Sequence, residues 1–217
     1  MLQLGRRATV ARAREDEEAA LRDHFDAHMW ARLPRVLDPA LLLEVQRLLA
    51  AAKFEPHVHH NVNPPSIDWI MAPGPAGGLL ELAFNDPQVH RVIEAITGCD
   101  PIGHFLALVY RMLPDQGHEH QWHNDLILGR MIAISVNLGP DDYQGGVLQL
   151  RERSTGTVFA TVDNPVPGDA IIFALDPSID HRVTRVTGGV KTAFAGWFCA
   201  GPTYLELFHE SHSGARV

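Results

Sequence analysis

Lysine is nearly missing: Lys53 and Lys191 are the only two among the chain's eighteen Lys and Arg residues. Cysteine is as sparse, with Cys99 and Cys199 far apart and in no CxxC arrangement. That excludes a disulfide scaffold and a cysteine-zinc module, and it suits a reducing, cytoplasmic location with both thiols as small core residues. No window approaches the roughly 18 uninterrupted apolar residues of a membrane span, so no membrane partner is expected. Clustered positive charge is lacking too. The net charge is −8 and the pI near 5.9, so a nucleic-acid partner, which needs clustered cations to release counterions, is not expected. The opening MLQLGRRATVARAR has no apolar core, which argues against a secretory signal and for a flexible basic tail over 1–13. Several motifs are absent as well: the nucleophile elbow GxSxG, the P-loop and the dinucleotide GxGxxG. A zinc-peptidase HExxH fails because Trp122 stands where the second histidine would be.

What remains has the size and composition of one globular domain, 14–217, with 46% hydrophobic residues and no internal repeat. Residues 14–30 have the pattern of an amphipathic helix with an acidic first turn. Asp38-Pro39 is a capping residue followed by proline at the first helical position, and it opens a helix through ALLLEVQRLLAAAK. Asp86-Pro87 repeats the signal before QVHRVIEAIT, with Gly98 as its C-cap. Beyond Gly98 the period shortens. The runs HFLALVYRML, MIAISVNL, GVLQLRE, TVFATV, DAIIFAL, HRVTRV and KTAFAGWF read as strands separated by Gly, Pro, Asn and Asp. The expected class is α+β with a mostly β core: helical support over 14–98 on one face of an antiparallel sandwich or barrel over 99–200.

Chemistry concentrates in GHEHQWHND. His123 and Asp125 are two residues apart, so on a strand both point to one face and can grip one metal ion. His181, near the start of a later strand, is the candidate third ligand. Two histidines and one carboxylate leave adjacent positions open on a metal, the arrangement of non-haem Fe(II) oxygenases. Thirteen histidines make an isolated HxD uninformative. Order downstream lifts it: Gly145-Gly146 before VLQL, Gly168-Asp169 before AIIF, then His181, then Lys191 ahead of TAFAGWF.

The whole pattern, Y…HxD…GGxLxL…GDAxxF…H…K…WF, resembles the prolyl-hydroxylase-like branch of the Fe(II)/2-oxoglutarate-dependent dioxygenases over about 102–198. The resemblance implies a double-stranded β-helix, a cupin-like jelly roll with the N-terminal helices outside it. It implies Fe(II) on His123, Asp125 and His181, with 2-oxoglutarate and O2 as cosubstrates and ascorbate as a candidate reductant. Lys191 matches the basic residue that pairs with the far carboxylate of 2-oxoglutarate. Tyr110 and Asn137 match positions that contact the cosubstrate. Arg130 stands where related enzymes place a substrate-facing residue, and it reads equally as a surface arginine. A carboxylate at Asp125 favours hydroxylation over halogenation. The implied partner is a small-molecule or peptidyl substrate, an amino-acid side chain first, and the oligomeric state stays open.

His118, His120 and the run His57–Val58–His59–His60 read as polar loop residues, since the triad already completes an iron site. The competing reading is a cupin-like metal-binding jelly roll without 2-oxoglutarate turnover, a sensor or binding protein. Lys191 with Tyr110 is the feature that such a module has no reason to keep.

Overall fold

In the computed structural model, which describes residues 2–6, 9–11, 15–60, 64–127 and 129–207, helices begin where the Asp-Pro pairs stand. Helix α1 is Glu15–His28, α2 Pro39–Ala50, α3 Pro75–Phe84 and α4 Pro87–Thr97. Asp38 caps α2 by accepting from Leu41 N at 2.6 Å, and Asp86 caps α4 by accepting from Gln88 N at 2.8 Å. Gly98 closes α4 at φ 63°, the left-handed conformation that glycine adopts without a Cβ clash. Helix α2 buries Leu41, Val45 and Leu49, one stripe at a spacing of four. Helix α3 is absent from the sequence expectation because Gly77 and Gly78 lower its propensity. Its own stripe of Ala76, Leu80 and Phe84 is fully buried, and that packing decides the matter.

The N-terminal strands are β1 (Leu2–Leu4), β2 (Thr9–Ala11) and β3 (Trp30–Leu33), followed by the hairpin β4 (Phe54–His59) and β5 (Ser66–Met71). Next come β6 (His104–Met112), β7 (His120–His123), β8 (Arg130–Asn137) and β9 (Gln144–Gly145). Then follow β10 (Leu148–Glu152), β11 (Val158–Val162), β12 (Ala170–Ala174), β13 (Ile179–Val183), β14 (Val186–Gly188) and β15 (Lys191–Cys199). Seven strands form a large antiparallel sheet in the order β3-β12-β8-β15-β6-β5-β4. Four form a smaller one, β11-β10-β13-β7. The two sheets make the jelly-roll core.

Alternation along each strand assigns the faces. Ile132, Ile134, Val136, Ile172, Phe194 and Phe198 pack in one buried cluster with helical residues such as Leu80, Phe84 and Ile93. Their strand neighbours Ala133, Ile171 and Phe173 turn the other way, onto Leu148, Leu150, Val162 and Ile179 of the small sheet. Between the sheets, beyond that apolar plug, lies the cavity described below.

Two expectations need correction. The first half is not only helical support, since β3, β4 and β5 extend the large sheet on both flanks. Strand β4 carries Pro56 and lies at the sheet edge, where a missing N–H is tolerated. Nor is all of 1–13 a flexible tail. Strands β1 and β2 pair antiparallel, and Leu4 is buried, donates to Val36 O at 2.6 Å and accepts from Asp38 N at 2.9 Å. Leu2 and Leu4 share one face of a strand, so both reach the core while exposed Arg6 sits beyond them. Positions 1, 7, 8 and 12–14 lie outside the described residues.

Candidate active site

Strand β7 ends on His123, and β13 pairs antiparallel with it so that His181 stands directly opposite. Asp125 follows in the loop. Its Oδ1 lies 3.6 Å from His123 Nε2 and its Oδ2 3.6 Å from His181 Nε2. These separations exceed a hydrogen bond and suit donors arranged around one ion at about 2.1 Å from each. His123 Nδ1–H donates to Gln121 O at 2.6 Å, which leaves the Nε2 lone pair for the metal. Burial, with His181 adding to it, pushes His123 down to about 4, so its ring is neutral at physiological pH and ready to ligate. Burial raises Asp125, but His181, His123 and the Trp197 N–H outweigh it and hold the carboxyl well below the usual range. A neutral imidazole at His123 and an ionised carboxylate at Asp125 are donors of the kind a divalent ion requires, and His181 brings a second imidazole nitrogen beside them.

Asn124, the middle residue of the motif, works on the loop. Its amide donates to Asp176 O and Ile179 O at 2.8 and 2.7 Å, and its Oδ1 accepts from Leu126 N at 2.8 Å. The loop that presents Asp125 is thereby tied to the turn that leads into His181.

The triad opens into a cavity of about 500 Å³ whose wall includes Tyr110, Arg130, Ser135, Lys191 and Trp197. Lys191, Ala193, Ala195 and Trp197 alternate along β15 with Thr192, Phe194, Gly196 and Phe198. The lysine, the indole and two small alanines therefore face the cavity, while Phe194 and Phe198 face the helices. Lys191 is 5% exposed; its Nζ donates to Gly146 O at 2.6 Å and lies 5.4 Å over the Tyr143 ring. Among the described residues no carboxylate pairs with it. Burial pushes it down to about 7. A buried cation without a countercharge, in the same cavity as the triad, fits the far carboxylate of 2-oxoglutarate. The Gly145-Gly146 pair now has a physical reason: Gly146 sits at φ 62°, and a Cβ there would meet Lys191 Cδ at 3.0 Å.

Tyr110 is buried in the cavity wall beside Ser135, and burial pushes its phenol up, so it stays a protonated donor. Arg130 reaches the cavity rather than open surface. Its guanidinium stacks over Trp197 at 3.7 Å and lies 3.9 Å from Asp125 Oδ1, and among the described residues its buried Nε has no hydrogen-bond partner. Asn137 is the misplaced expectation. Its Nδ2 donates to Pro165 O at 2.7 Å and its Oδ1 accepts from Gly139 N at 3.0 Å, so the backbone consumes the amide and it does not line the cavity. Ser135, two residues earlier, faces the cavity instead. His118 accepts from Leu113 N at 3.0 Å and is buried, holding the turn before β7.

Sequence reasoning missed three things. Trp197 Nε1–H donates to Asp125 Oδ2 at 2.8 Å, which orients a ligand. The only signal for it was its place in the terminal WF. Asp68 and His59 also line the cavity, with His120 beside them. His59 reads as a polar loop residue in the sequence and Asp68 gives no signal there, because β4 and β5 lack the apolar period that marks a strand.

The family model described as the 2OG-Fe(II) oxygenase superfamily matches residues 107–199, which span every residue of the triad and Lys191. No curated protein matches the chain in sequence. Among solved structures, a 2OG-Fe(II) oxygenase family oxidoreductase from Burkholderia pseudomallei superposes with TM-score 0.67 at 17% identity, covering 94% of this chain and 98% of its own. A prolyl-4-hydroxylase from Pseudomonas putida gives 0.61 at 21%, covering 85% and 99%. A prolyl hydroxylase from Trichoplax adhaerens, in complex with a hypoxia inducible factor peptide, gives 0.62 at 18%, covering 85% and 90%. At these identities the likeness is one of fold.

Proposed function

We propose, from the match of residues 107–199 to the 2OG-Fe(II) oxygenase superfamily model, that this chain is a member of that superfamily and hydroxylates an unactivated C–H bond. The substrate class is an amino-acid side chain, a peptidyl residue or a small metabolite. We read 14–217 as one catalytic unit working in the cytoplasm. Iron with 2-oxoglutarate and O2 supplies the oxidising equivalents for such chemistry, and succinate and CO2 leave.

The chain's own residues divide the remaining work. His123, Asp125 and His181 would hold the metal and leave positions open for cosubstrate and O2. Lys191 takes the far carboxylate of 2-oxoglutarate. Tyr110, kept protonated by burial, donates a hydrogen bond into the same pocket. Trp197 fixes Asp125 through its N–H. Arg130, which lines the cavity with its Nη1 3.9 Å from Asp125 Oδ1, receives an anionic group of the substrate. Leu148, Ile171, Phe173 and Val183 line the cavity with apolar surface that limits water around the reacting centre.

The observation that carries this reading is Lys191: a buried ammonium without a carboxylate partner, in one cavity with a two-histidine, one-carboxylate triad. Anaerobic addition of Fe(II) and 2-oxoglutarate to the purified protein should produce the weak visible charge-transfer band of a chelated 2-oxo acid. Succinate release should then identify substrates across a panel of free amino acids, short peptides and cell extract. No band, with iron bound, would leave the cupin-like metal-binding protein as the reading.

A further inference from the structure

A second set of donors converges in the wall of the same cavity, outside the proposed iron triad. Asp68 on β5 is 1% exposed. Its Oδ1 lies 3.1 Å from His59 Nε2 and its Oδ2 2.9 Å from His120 Nε2. One donor atom from each residue lies within 4.8 Å of the other two. We propose that His59, Asp68 and His120 form a second metal site, for a borderline divalent ion of the Zn(II) type.

Charge is the first argument. Among the described residues Asp68 has no lysine or arginine within ion-pair distance, and both of its contacts are imidazoles. A carboxylate this deeply buried calls for a cation. Protonating His120 would supply one, but burial disfavours the charged ring and pulls its pKa down. A divalent ion provides that countercharge directly.

Geometry is the second. The two imidazole nitrogens lie 3.1 and 2.9 Å from different oxygens of the one carboxylate, close enough for a single ion to take a ligand atom from each residue at about 2.1 Å. The remaining positions would then face the cavity. His57 supplies a spare imidazole two residues along the same strand, its ring centroid 4.6 Å from that of His59. Two nitrogens and one carboxylate oxygen favour Zn(II), Co(II) or Ni(II) over the oxygen-seeking Ca(II) and Mg(II).

Topology gives the site its consequence. His59 and Asp68 belong to the edge hairpin β4–β5, which among the described residues pairs with β6 through Trp69↔Arg111 and Ile70↔Tyr110 and meets the β7 segment through the bridge Ile67↔Glu119 and Gln121 N donating to Ser66 Oγ. His120 belongs to β7, three residues before His123, and the two rings lie 6.4 Å apart. An ion here adds a cross-link between the edge hairpin and the strand that carries His123. It is therefore a wall-bracing site, separate in its donors from the iron triad.

Metal stoichiometry tests this without any turnover. The protein is loaded anaerobically with excess Zn(II), passed through gel filtration and analysed for metal. Two ions per chain are expected for the parent, one for His59→Gln, one for Asp125→Ala/His123→Ala and none for the combination of all three. Co(II) in the Asp125→Ala/His123→Ala background should give a d–d absorption band that His59→Gln or His120→Gln abolishes. His59 is the milder variant because its side chain is 27% exposed, and far-UV circular dichroism checks the fold of each. One Zn(II) per parent chain, unchanged by His59→Gln, would overturn the proposal and leave a hydrogen-bonded His–Asp–His cluster. So would an Asp125→Ala/His123→Ala protein that is folded and binds no Co(II). Because these readings need no 2-oxoglutarate, they stand apart from success or failure of the oxygenase assignment.

Discussion

Trp197 serves the site with two parts of one side chain. The N–H holds Asp125 Oδ2, and the ring carries the Arg130 guanidinium. Outer partners of this kind typically change metal affinity or activity by about 10–100-fold when removed. Trp197→Phe should therefore keep the ring and the fold but lower iron affinity or turnover by at least about tenfold. Iron titration beside a thermal melt separates that from unfolding. Lys191 offers a sharper test. Deleting its ammonium would leave the 2-oxoglutarate carboxylate unpaired in a dry pocket, at about 2–5 kcal/mol, so Lys191→Ala should weaken 2-oxoglutarate binding by roughly thirtyfold or more. Iron binding should survive. Its pH dependence has a defined sign. The free folded protein loses the Lys191 proton as pH rises through about 7, whereas the unfolded chain keeps it to about 10.5. The buried lysine thus opposes folding most below pH 7, and that penalty fades as pH rises from about 7 to about 10.5. An anion favours the charged form, so above pH 7 binding 2-oxoglutarate takes up a proton and affinity falls, by up to about tenfold per pH unit. Kd measured at pH 6.5 and 8.5 should show the fall in the parent. Lys191→Arg, whose charge persists, should bind more weakly at neutral pH and show a flat profile.

At the scale of elements, β15 is the hinge of the design because both of its faces are committed. Its cavity face needs small side chains between Lys191 and Trp197, and Ala193 and Ala195 supply them. Its helix face is crowded: a Cβ on Gly196 would lie 2.2 Å from Phe105 Cζ and 2.7 Å from Leu106 O. Gly196→Ala should destabilise the protein by about 1–3 kcal/mol through overpacking, read as a lower denaturant midpoint. Asp38→Ala, by contrast, should remove only a helix cap, about 1 kcal/mol, with 2-oxoglutarate affinity unchanged. The strands of the second half were legible because each is short, β-rich and bounded by turn residues. The hairpin β4–β5 was not. FEPHVH carries a proline and exposed polar rings, since one edge and much of its surface face water, and this erases the apolar period that marks a strand.

At the scale of the whole molecule, the cavity lies between two sheets, so anything bound there ties both sheets together. Ligands that bind only the native state stabilise it by mass action, about 2.7 kcal/mol at a hundred times Kd. For a domain of this size that corresponds to a rise in Tm of roughly 5–10 °C. Anaerobic Fe(II) with 2-oxoglutarate should give such a rise in the parent and little in Asp125→Ala. A shift of equal size in both would detach Asp125 from the metal. No helix among the described residues is long and apolar enough to cross a membrane, which agrees with the absence of such a run in the sequence.

The sequence by itself determined what depends on local period and capping. It set the start of α2 and α4 at Asp-Pro pairs, the strand-rich second half, and the closeness of His123 and Asp125, although Asp125 stands in the loop after β7 and not on the strand. Resemblance carried His181, Lys191 and Tyr110, which are far apart along the chain, and the tertiary structure brings all of them to one cavity. Only the tertiary structure decided what depends on register between distant strands. The β7–β13 pairing sets His181 opposite His123, and contacts of Asn137 to the Pro165 and Gly139 backbone take its amide out of use, leaving Ser135 on the same face as the partner of Tyr110. The edge hairpin brings Asp68 and His59 to His120, from positions where sequence showed only scattered polar residues. The reason is physical: capping and alternation act within a few residues, whereas a site is closed by sheet pairings whose partners lie tens of positions apart.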